Sequence, residues 1–348
     1  MRDFHSQEIK DEVQVGAARR GVHRYASQLG FGEDKLSELD IVVQEIGTNA
    51  ARYATAGGCL HWTSALGEEP GLELFYTDRG PGIYDLDRAL RDGVTSGGSL
   101  GMGFGAMRRL LDEFDAHSVP KGTTRRLAPA RRTTYGTAIF GRKWVAPPGE
   151  ENREARRLAR RLGVWSRARP GEDKNGDAYF IGGHGEETLL AIVDGLGHGL
   201  GANEAALVAL DTLEQWRGEP LGETILALHD ALRATRGAVL GAVVVNRRRE
   251  SFTYAGVGNV ELRVFGSPEP ARPIPTNGTL GARLSQVRVW PHRWTEGTTL
   301  VLASDGISAS WDIAAYPGIL DKSCQLLAGV LLRDFSRSSD DATVLVYR

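Results

Sequence analysis

Cysteine is nearly absent from this sequence, and long hydrophobic runs are missing altogether. Only Cys59 and Cys324 occur in 348 residues, and two distant cysteines do not make the disulfide framework of a small secreted domain. No stretch approaches the roughly 18 apolar residues of a membrane-spanning helix. The polar segment 1–10 lacks the apolar centre of a signal peptide. We therefore expect a cytoplasmic protein, with no membrane among its partners.

An excess of charge of one sign is also missing. The chain has 42 Lys and Arg against 44 Asp and Glu, which leaves a formal net charge of -2 at pH 7. A nearly neutral chain gives no electrostatic reason to expect a nucleic acid as partner. With 41% hydrophobic and 25% charged residues, the composition is that of an ordinary globular protein.

The length exceeds that of one typical domain, so two domains are expected. The clearest break is the proline- and glycine-containing segment 145–152 (VAPPGEEN), which has the composition of a linker. We predict a first domain over 1–146, a linker over 147–158 and a second domain over 159–348.

The two predicted domains differ in their hydrophobic patterns. In the first, apolar residues at helical spacing predict one helix that stops at Gly30, one over 35–53 and one over 105–114, with a strand at 72–77. This order predicts an α/β sandwich. The second domain has three helical patterns and many short strands, which predict stacked sheets covered by helices. Its strand-like runs are 189–193, 238–245, 252–257, 262–265, 287–290, 299–303 and 343–347. The predicted fold class is α+β.

Three polar features of the first domain suit a metal–nucleotide site. Glu45, Asn49 and Arg52 share one side of the second predicted helix, because they are four and three residues apart. A glutamate can position or deprotonate a nucleophile, and an amide oxygen can bind Mg²⁺. Asp78 follows a predicted strand in the pattern Asp-x-Gly-x-Gly, where glycines let the backbone approach a base. The glycine-rich loop 97–105 leads into a helix, and its amides can cradle phosphates.

Each feature alone also fits a solvated helix face or an ordinary turn, but their order is specific. It resembles the GHKL ATPase and histidine-kinase superfamily, and within it the RsbT-like anti-sigma-factor Ser/Thr kinases. The resemblance covers about residues 10–144. The matching stretches are 30–32 (GFG), 49–54 (NAARYA), 92–93 (DG), 95–98 (TSGG), 107–110 (MRRL), 112–114 (DEF) and 142–144 (RKW).

This resemblance implies an ATP site with Mg²⁺ and a Ser/Thr kinase activity. It implies Glu45 as the catalytic base, Asn49 as the Mg²⁺ ligand and Asp78 as the adenine contact. The residues expected to line the nucleotide are Arg52, Gly80, Gly82, Gly98, Gly101, Gly103, Gly105 and Thr123. A basic segment, 125–132, stands where the family has a short turn. It either alters partner recognition or has no functional role, and we favour the second interpretation.

In the second domain, aspartates recur at the ends of predicted strands: Asp177, Asp194, Asp305 and the pair Asp340–Asp341. Converging carboxylates bind Mg²⁺ or Mn²⁺ in preference to zinc. Two such ions can activate water and stabilise an in-line attack on phosphorus. A single Asp-Gly pair is most often a hairpin turn, so the prediction depends on the whole set.

The set resembles the metal-dependent PPM protein phosphatases, in particular their SpoIIE and RsbX-like branch, over about residues 160–348. The matching stretches are 175–177 (NGD), 193–197 (VDGLG), 202–205 (ANEA), 236–238 (RGA), 252–254 (FTY), 257–260 (VGNV), 304–306 (SDG) and 340–343 (DDAT). The resemblance implies a β-sandwich flanked by helices that holds two Mn²⁺ or Mg²⁺ ions.

By this resemblance, Asp194 bridges both ions and the Gly195 carbonyl binds one of them. Asp305 and Asp340 hold the other ion, with Asp341 as the alternative to Asp340. Asp177 acts directly or through water, and Asp194 and Asp305 are the catalytic carboxylates.

Two further side-chain roles remain open in the sequence. His198 is expected to make a local hydrogen bond rather than to bind metal. Larger PPM phosphatases carry a phosphate-binding arginine upstream of the Asp177 position, and this resemblance makes Arg169 or Lys174 a candidate for the same role.

Together the two resemblances imply a bifunctional partner-switching regulator. Its kinase and phosphatase domains are expected to act on a STAS-domain protein of the stressosome or anti-anti-sigma type. A downstream phosphatase or a sigma-regulatory protein is a further expected partner. One alternative is a first domain that binds its partner in an ATP-dependent manner, transfers no phosphate and gates an active phosphatase. Another is an inactive first domain beside an active phosphatase, against which the intact Glu45, Asn49 and Asp78 argue.

Overall fold

The computed structural model describes residues 2–54, 57–90, 103–122 and 135–348. The chain divides into two units. The N-terminal unit contains residues 2–161 together with 312–330, and the C-terminal unit contains 162–311 and 331–348. Of the helices in the described ranges, none has the length and apolarity that a transmembrane span requires.

The N-terminal unit is one antiparallel five-stranded sheet with helices. Its strands lie in the order β1-β2-β3-β5-β4. The elements are β1 (His5–Ile9), α1 (Glu12–Gln28), α2 (Glu33–Tyr53), β2 (Gly58–Ser64), β3 (Gly71–Asp78), α3 (Leu86–Ala89), α4 (Gly103–Leu110), β4 (Glu113–Val119), β5 (Gly136–Trp144) and α5 (Arg153–Arg161).

Helices α1 and α2 cover one face of this sheet. The Asp11 side chain caps α1 by accepting a hydrogen bond from the Gln14 N–H. Gly30, with φ of 91°, ends the helix region in the left-handed conformation that glycine adopts freely. The apolar stripe of α2 packs with Leu72 and Leu74 of β3 into the core of the unit. The polar side of α2 therefore lies outside this core and can contribute to a functional site.

The opposite face of the sheet carries a buried ionic cluster. Glu73 of β3 is fully buried and accepts hydrogen bonds from Arg2 and Arg142. Residues 312–330, which are distant in sequence, cover this face: Gln325 donates to Glu73, and Gly329 packs against Phe75. Sequence composition does not reveal this arrangement, because the segment lies inside the predicted second domain.

The C-terminal unit is a pair of stacked sheets with helices. Its larger sheet has the order β14-β10-β9-β8-β7, its smaller sheet the order β11-β15-β16-β6, and β12 pairs with β13. The elements are β6 (Leu162–Arg167), β7 (Asp177–His184), β8 (Glu187–Gly195), α6 (Leu200–Leu213), α7 (Leu221–Ala231), β9 (Ala238–Asn246), β10 (Ser251–Val257), β11 (Glu261–Phe265), β12 (Gly278–Thr279), β13 (Arg283–Leu284), β14 (Val289–Arg293), β15 (Thr299–Ala303), α8 (Cys324–Phe335) and β16 (Ala342–Tyr347). The first seven residues of α8 belong to the N-terminal unit.

The two sheets of this unit bury apolar residues on both sides. Helices α6 and α7 pack on the outer face of the larger sheet, where Ala191 and Val193 of β8 contribute to a core cluster. On the inner face, strands β7 and β8 contact β16 and β15 of the smaller sheet. The predicted α+β fold class, a helix-covered sheet followed by a sandwich with helices, is confirmed.

The helix predicted over 105–114 is wrong at both ends. Helix α4 spans Gly103–Leu110, and β4 begins at Glu113. Leu111 is buried against Gly141 of β5, so its apolar character comes from packing beside the sheet rather than from helix periodicity. The predicted linker 147–158 contains the start of α5.

Candidate functional site

In the N-terminal unit, helix α2 and the start of helix α4 bring polar groups together. Glu45 and Asn49 are half-buried on α2, one turn apart. A Cβ atom at Gly103 would lie 3.6 Å from Asn49 Nδ2 and 3.9 Å from Glu45 Oε2. The end of the glycine-rich loop therefore approaches both side chains, as the predicted ATP site requires. Gly105, two residues further along α4, is buried.

The Asn49 amide supports a ligand at this position. Among the described residues, its Nδ2 atom is buried and has no hydrogen-bond partner. Buried amide donors are normally satisfied, so a bound group is the natural partner. The Asn49 oxygen, with the nearby Glu45 carboxylate, offers the hard oxygen atoms that Mg²⁺ prefers. The residues present therefore fit a metal–nucleotide group.

Asp78 lies at the end of β3, beside the end of α2. Its Oδ1 accepts hydrogen bonds from the N–H groups of Gly80 (2.8 Å) and Thr137 (3.1 Å). A Cβ atom at Gly80 would lie 2.9 Å from the Tyr53 carbonyl oxygen. Gly82, with φ of 73°, packs against β4. The turn after β3 thus adjoins the helix that carries Glu45.

Other predicted nucleotide residues lie elsewhere or are not described. Arg52 is exposed in the last turn of α2. The residues outside the described ranges are Gly98, Gly101, Thr123 and the basic segment 125–132.

In the C-terminal unit, strand pairing brings the predicted aspartates to one end of each sheet. Asp177 opens β7 and lies opposite Asp194 of β8 in the antiparallel register. In the smaller sheet, β15 pairs with β16 through Ala303 and Val344. Asp305 follows the first of these strands, and Asp341 precedes the second. Residues more than one hundred positions apart therefore converge.

Hydrogen bonds join the two sheet ends. The Ser304 hydroxyl donates to Asp177 Oδ2 at 2.6 Å, and the Gly176 N–H donates to Asp341 Oδ2 at 3.0 Å. The second oxygen of Asp341 accepts the Arg169 N–H at 2.8 Å. Both Asp341 oxygens thus accept hydrogen bonds from backbone N–H groups. The neighbouring Asp340 is therefore the better candidate for a metal ligand.

The glycines after two of the aspartates permit close backbone approach. A Cβ atom at Gly195 would lie 2.1 Å from the Ala202 carbonyl oxygen, and one at Gly306 would lie 1.7 Å from the Asp341 carbonyl oxygen. No side chain fits at either distance. At both Asp-Gly pairs, another backbone segment therefore packs directly against the glycine beside an aspartate of the candidate site.

Burial and mutual repulsion favour the neutral form of these carboxyl groups. Burial, together with the charges of Asp177 and Asp305, raises the pKa of Asp194 to about 9. Burial likewise raises the pKa of Asp177 to about 7, although hydrogen bonds from Ser304 and Thr343 oppose the shift. Burial and the charge of Asp340 raise the pKa of Asp305. A divalent cation among these groups would restore their ionised forms.

The donor chemistry fits Mg²⁺ or Mn²⁺, since every candidate donor is an oxygen. In the described part of the chain, no group of three or more His, Cys, Asp or Glu side chains is arranged to hold one metal ion. Mg²⁺ usually keeps several waters and takes one or two carboxylates. A ligand set of one or two carboxylates, the Gly195 carbonyl and water matches the arrangement.

Three polar residues around the aspartates had no role in the sequence interpretation. Ser304 links Asp177 to the Thr343 N–H. Asn259 donates to Asp305 Oδ2 at 2.7 Å, and Asn203 donates to the Asn175 carbonyl at 2.7 Å. All three lie in motifs noted above, so the signal was present, but only the tertiary contacts show which group each one binds. His198 contacts Glu172 at 2.6 Å, as expected for a local hydrogen bond.

Comparison with known proteins gives the family of the N-terminal unit. The family model of the histidine kinase-like ATPase domain matches residues 9–128. The serine/threonine-protein kinase RsbT of Bacillus subtilis (strain 168) is 33% identical over 119 residues, which cover 34% of this chain and 90% of RsbT. The chain belongs to the RsbT-like histidine kinase-like ATPases.

A second set of known proteins is similar to another part of this RsbT-like chain. Phosphoserine phosphatase RsbX of the same organism is 28% identical over 161 residues, which cover 46% of this chain and 78% of RsbX. A solved structure of the bacterial stressosome, described as a modular system adapted to control secondary messenger signaling, is 30% identical. The match covers 54% of this chain and 98% of the chain in that structure, with a TM-score of 0.51. The chain therefore combines an RsbT-like ATPase domain with a second domain that is similar to the phosphatase RsbX, as its motifs predicted.

Proposed function

We propose that this chain is a bifunctional partner-switching regulator. Its C-terminal unit removes phosphate from phosphoserine or phosphothreonine of a protein, and its N-terminal unit transfers phosphate from ATP to the same kind of side chain. The observation that carries the proposal is the meeting of Asp177, Asp194 and Asp305 at the joint end of two sheets, where burial and repulsion raise the pKa of each.

In the phosphatase reaction, Asp194, Asp305, Asp340 and the Gly195 carbonyl would hold two Mg²⁺ or Mn²⁺ ions. Bound ions of this kind supply an activated water and stabilise charge on the phosphoryl oxygens. Ser304 fixes Asp177 and Asn259 fixes Asp305 by hydrogen bonds, so both carboxylates are held in place before substrate binds.

In the kinase reaction, Asn49 would bind Mg²⁺, and Asp78 would accept a hydrogen bond from the adenine amine. Glu45 lies one turn from Asn49 and would accept the proton of the attacking hydroxyl. The start of α4 at Gly103 would approach the phosphates. The unpartnered amide of Asn49 supports this placement.

The relatives suggest the substrate. RsbT is named a serine/threonine kinase and RsbX a phosphoserine phosphatase, so one phosphorylated protein could serve both units. We propose a STAS-domain protein of the stressosome or anti-anti-sigma type in the cytoplasm, with a downstream phosphatase or sigma-regulatory protein as a further partner. Joining both units in one chain keeps opposed activities near that protein at high effective concentration.

The phosphatase proposal is tested with Asp194→Asn. Mn²⁺-dependent hydrolysis of a phosphoserine protein should fall to background, while ATP binding by the full chain is unchanged. Asp211→Asn is the matched control, because Asp211 is an exposed aspartate on α6 of the same unit. Hydrolysis by the Asp194 variant at a rate near that of the control would refute the site.

The kinase proposal is tested with labelled ATP and a candidate STAS protein. Wild-type protein should transfer label, Glu45→Gln should bind ATP without transfer, and Asn49→Asp should lose Mg-ATP affinity. If wild-type protein forms the complex but transfers no label, the N-terminal unit is instead an ATP-dependent binding module that gates the phosphatase.

A further inference from the structure

An open cavity borders the loop that follows Asp194. Its volume is about 510 Å³. The lining residues are Leu200, Gly201 and Glu204 of helix α6 and Ala234, Thr235 and Arg236 ahead of strand β9. The cavity is therefore lined by the helix that follows β8 and by the segment that precedes β9, at the end of the larger sheet where Asp194 lies.

Strand register places Arg236 beside this loop. Gly195 pairs with Ala238, and the Leu196 N–H donates to the Gly237 carbonyl at 3.0 Å. The next pair in this register is Gly197 and Arg236, and a Cβ atom at Gly197 would lie 3.5 Å from Arg236 Nη1. The guanidinium group therefore lies against the segment that begins at Asp194.

Arg236 is an exposed cation with no protein partner among the described residues. In the same unit, by contrast, Arg233 forms an ion pair with Asp230 and Arg263 with Glu261. Glu204 lines the same cavity but forms no ion pair with Arg236 in the described structure. The guanidinium group is therefore available to an anionic ligand.

Gly201 allows the guanidinium group to rest on the first turn of α6. A Cβ atom at Gly201 would lie 2.5 Å from Arg236 Nε and 2.6 Å from its Cζ, so even a methyl group there would displace Arg236. The positive end of the α6 dipole adds to the attraction for an anion at this place.

We propose that Arg236 binds the phosphate group of the phosphoserine or phosphothreonine substrate, a role that rests on the proposed phosphatase function. The planar guanidinium presents two parallel N–H groups to two phosphate oxygens, which a lysine cannot do. Arg236 therefore replaces Arg169 and Lys174, the two residues that the sequence suggested for binding the substrate phosphate.

The test uses the full chain with Mn²⁺ and a phosphoserine peptide. In Arg236→Ala, KM for the peptide and the inhibition constant of inorganic phosphate should both rise about tenfold or more, because two charge-assisted hydrogen bonds are lost. Arg236→Lys should recover part of the loss, and Gly201→Ala should shift both constants in the same direction. The Mn²⁺ dissociation constant, measured by calorimetry, should stay at the wild-type value in every variant.

Arg233→Ala is the matched control, because Arg233 is an exposed arginine three residues away, and its constants should equal those of wild type. If Arg236→Ala keeps wild-type constants, the assignment of Arg236 is wrong while the phosphatase function stands. If Arg236→Ala weakens Mn²⁺ binding as much as phosphate binding, Arg236 acts on the metal site and the assignment also fails. If wild-type protein hydrolyses no phosphopeptide, the phosphatase function and this assignment fall together.

Discussion

Replacing Glu73 by glutamine tests the ionic cluster on the N-terminal sheet. The Glu73 carboxylate accepts hydrogen bonds from Arg2 Nη1 at 2.7 Å and from Arg142 Nε and Nη2 at 2.9 and 2.7 Å. Gln325 is a further donor. Glutamine keeps the shape but removes the charge, so two buried guanidinium groups lose one shared carboxylate charge.

Loss of one partner of a buried ion pair costs about 3–5 kcal/mol. The lower limit applies here, because Arg142 keeps a second carboxylate, Glu113, at 2.6 Å. A loss of about 3 kcal/mol corresponds to a roughly 100-fold larger equilibrium constant for opening of the unit. The effect should reach residues 324–330 of α8, since Gln325 also loses its charged acceptor.

Hydrogen exchange followed by mass spectrometry is the suitable assay, because it reports each unit of a multi-unit chain separately. Peptides from β3, β5 and the start of α8 should exchange roughly 100-fold faster in Glu73→Gln, and peptides from β8 and β9 should be unchanged. Glu8→Gln serves as control, because Glu8 forms a solvent-exposed pair with Lys10, and such surface pairs contribute little to stability. Equal exchange in the two variants would show that the cluster does not stabilise the unit.

The same cluster predicts a pH dependence. Burial alone would raise the pKa of Glu73, but the charges and hydrogen bonds of Arg142 and Arg2 outweigh it and hold the pKa below the ordinary value. A lowered folded-state pKa gives stability that is present above the unfolded-state pKa of about 4.3 and is lost as pH falls through the folded value. The difference between wild type and Glu73→Gln should therefore stay constant from about pH 6 to 8 and shrink in acid.

Two further predictions concern single buried groups. Ser304→Ala removes the hydroxyl that donates to Asp177 and accepts the Thr343 N–H, so exchange in β7 and β16 should reveal a loss of about 2 kcal/mol; unchanged exchange would contradict this. Burial, with a smaller contribution from Glu8, raises the pKa of the Cys59 thiol to about 11. Iodoacetamide at pH 8 should therefore modify Cys59 roughly 100-fold more slowly in the folded than in the urea-unfolded chain, and similar rates by mass spectrometry would disprove the shift.

Elements with strong periodicity or continuous apolar sequence were predictable. Helices α1 and α2 carry clear apolar stripes, and β9 and β15 are runs of buried apolar residues. Strand β1 was missed because its five residues are mostly polar and only Ile9 is buried. Segment 312–330 could not be assigned to the N-terminal unit, because its polar contacts are with residues far away in sequence: Gln325 with Glu73 and Ser323 with Asp115, 252 and 208 positions earlier.

The aspartates of the C-terminal site were predictable as a set, because each lies at the end of a strand. Their supporting contacts were not, because Ser304 and Asn259 are ordinary polar residues in the sequence. Only the meeting of the two sheets assigns each of them to one carboxylate. The order of a motif therefore predicts which carboxylates converge better than it predicts the groups that hold them.

The carboxylates of Glu73 and Asp194 differ in whether the protein itself supplies a balancing positive charge. Glu73 lies between Arg2 and Arg142, which lower its pKa, so the protein itself completes that cluster and the role is structural. Asp194 has burial and other carboxylates as the causes of its shift, and all of them raise its pKa. Folding such a group costs free energy that its own neighbours do not offset. A divalent cation between oxygen ligands would supply the positive charge that the neighbours of Asp194 lack, which supports the cluster at the sheet ends, rather than Glu73, as the candidate site.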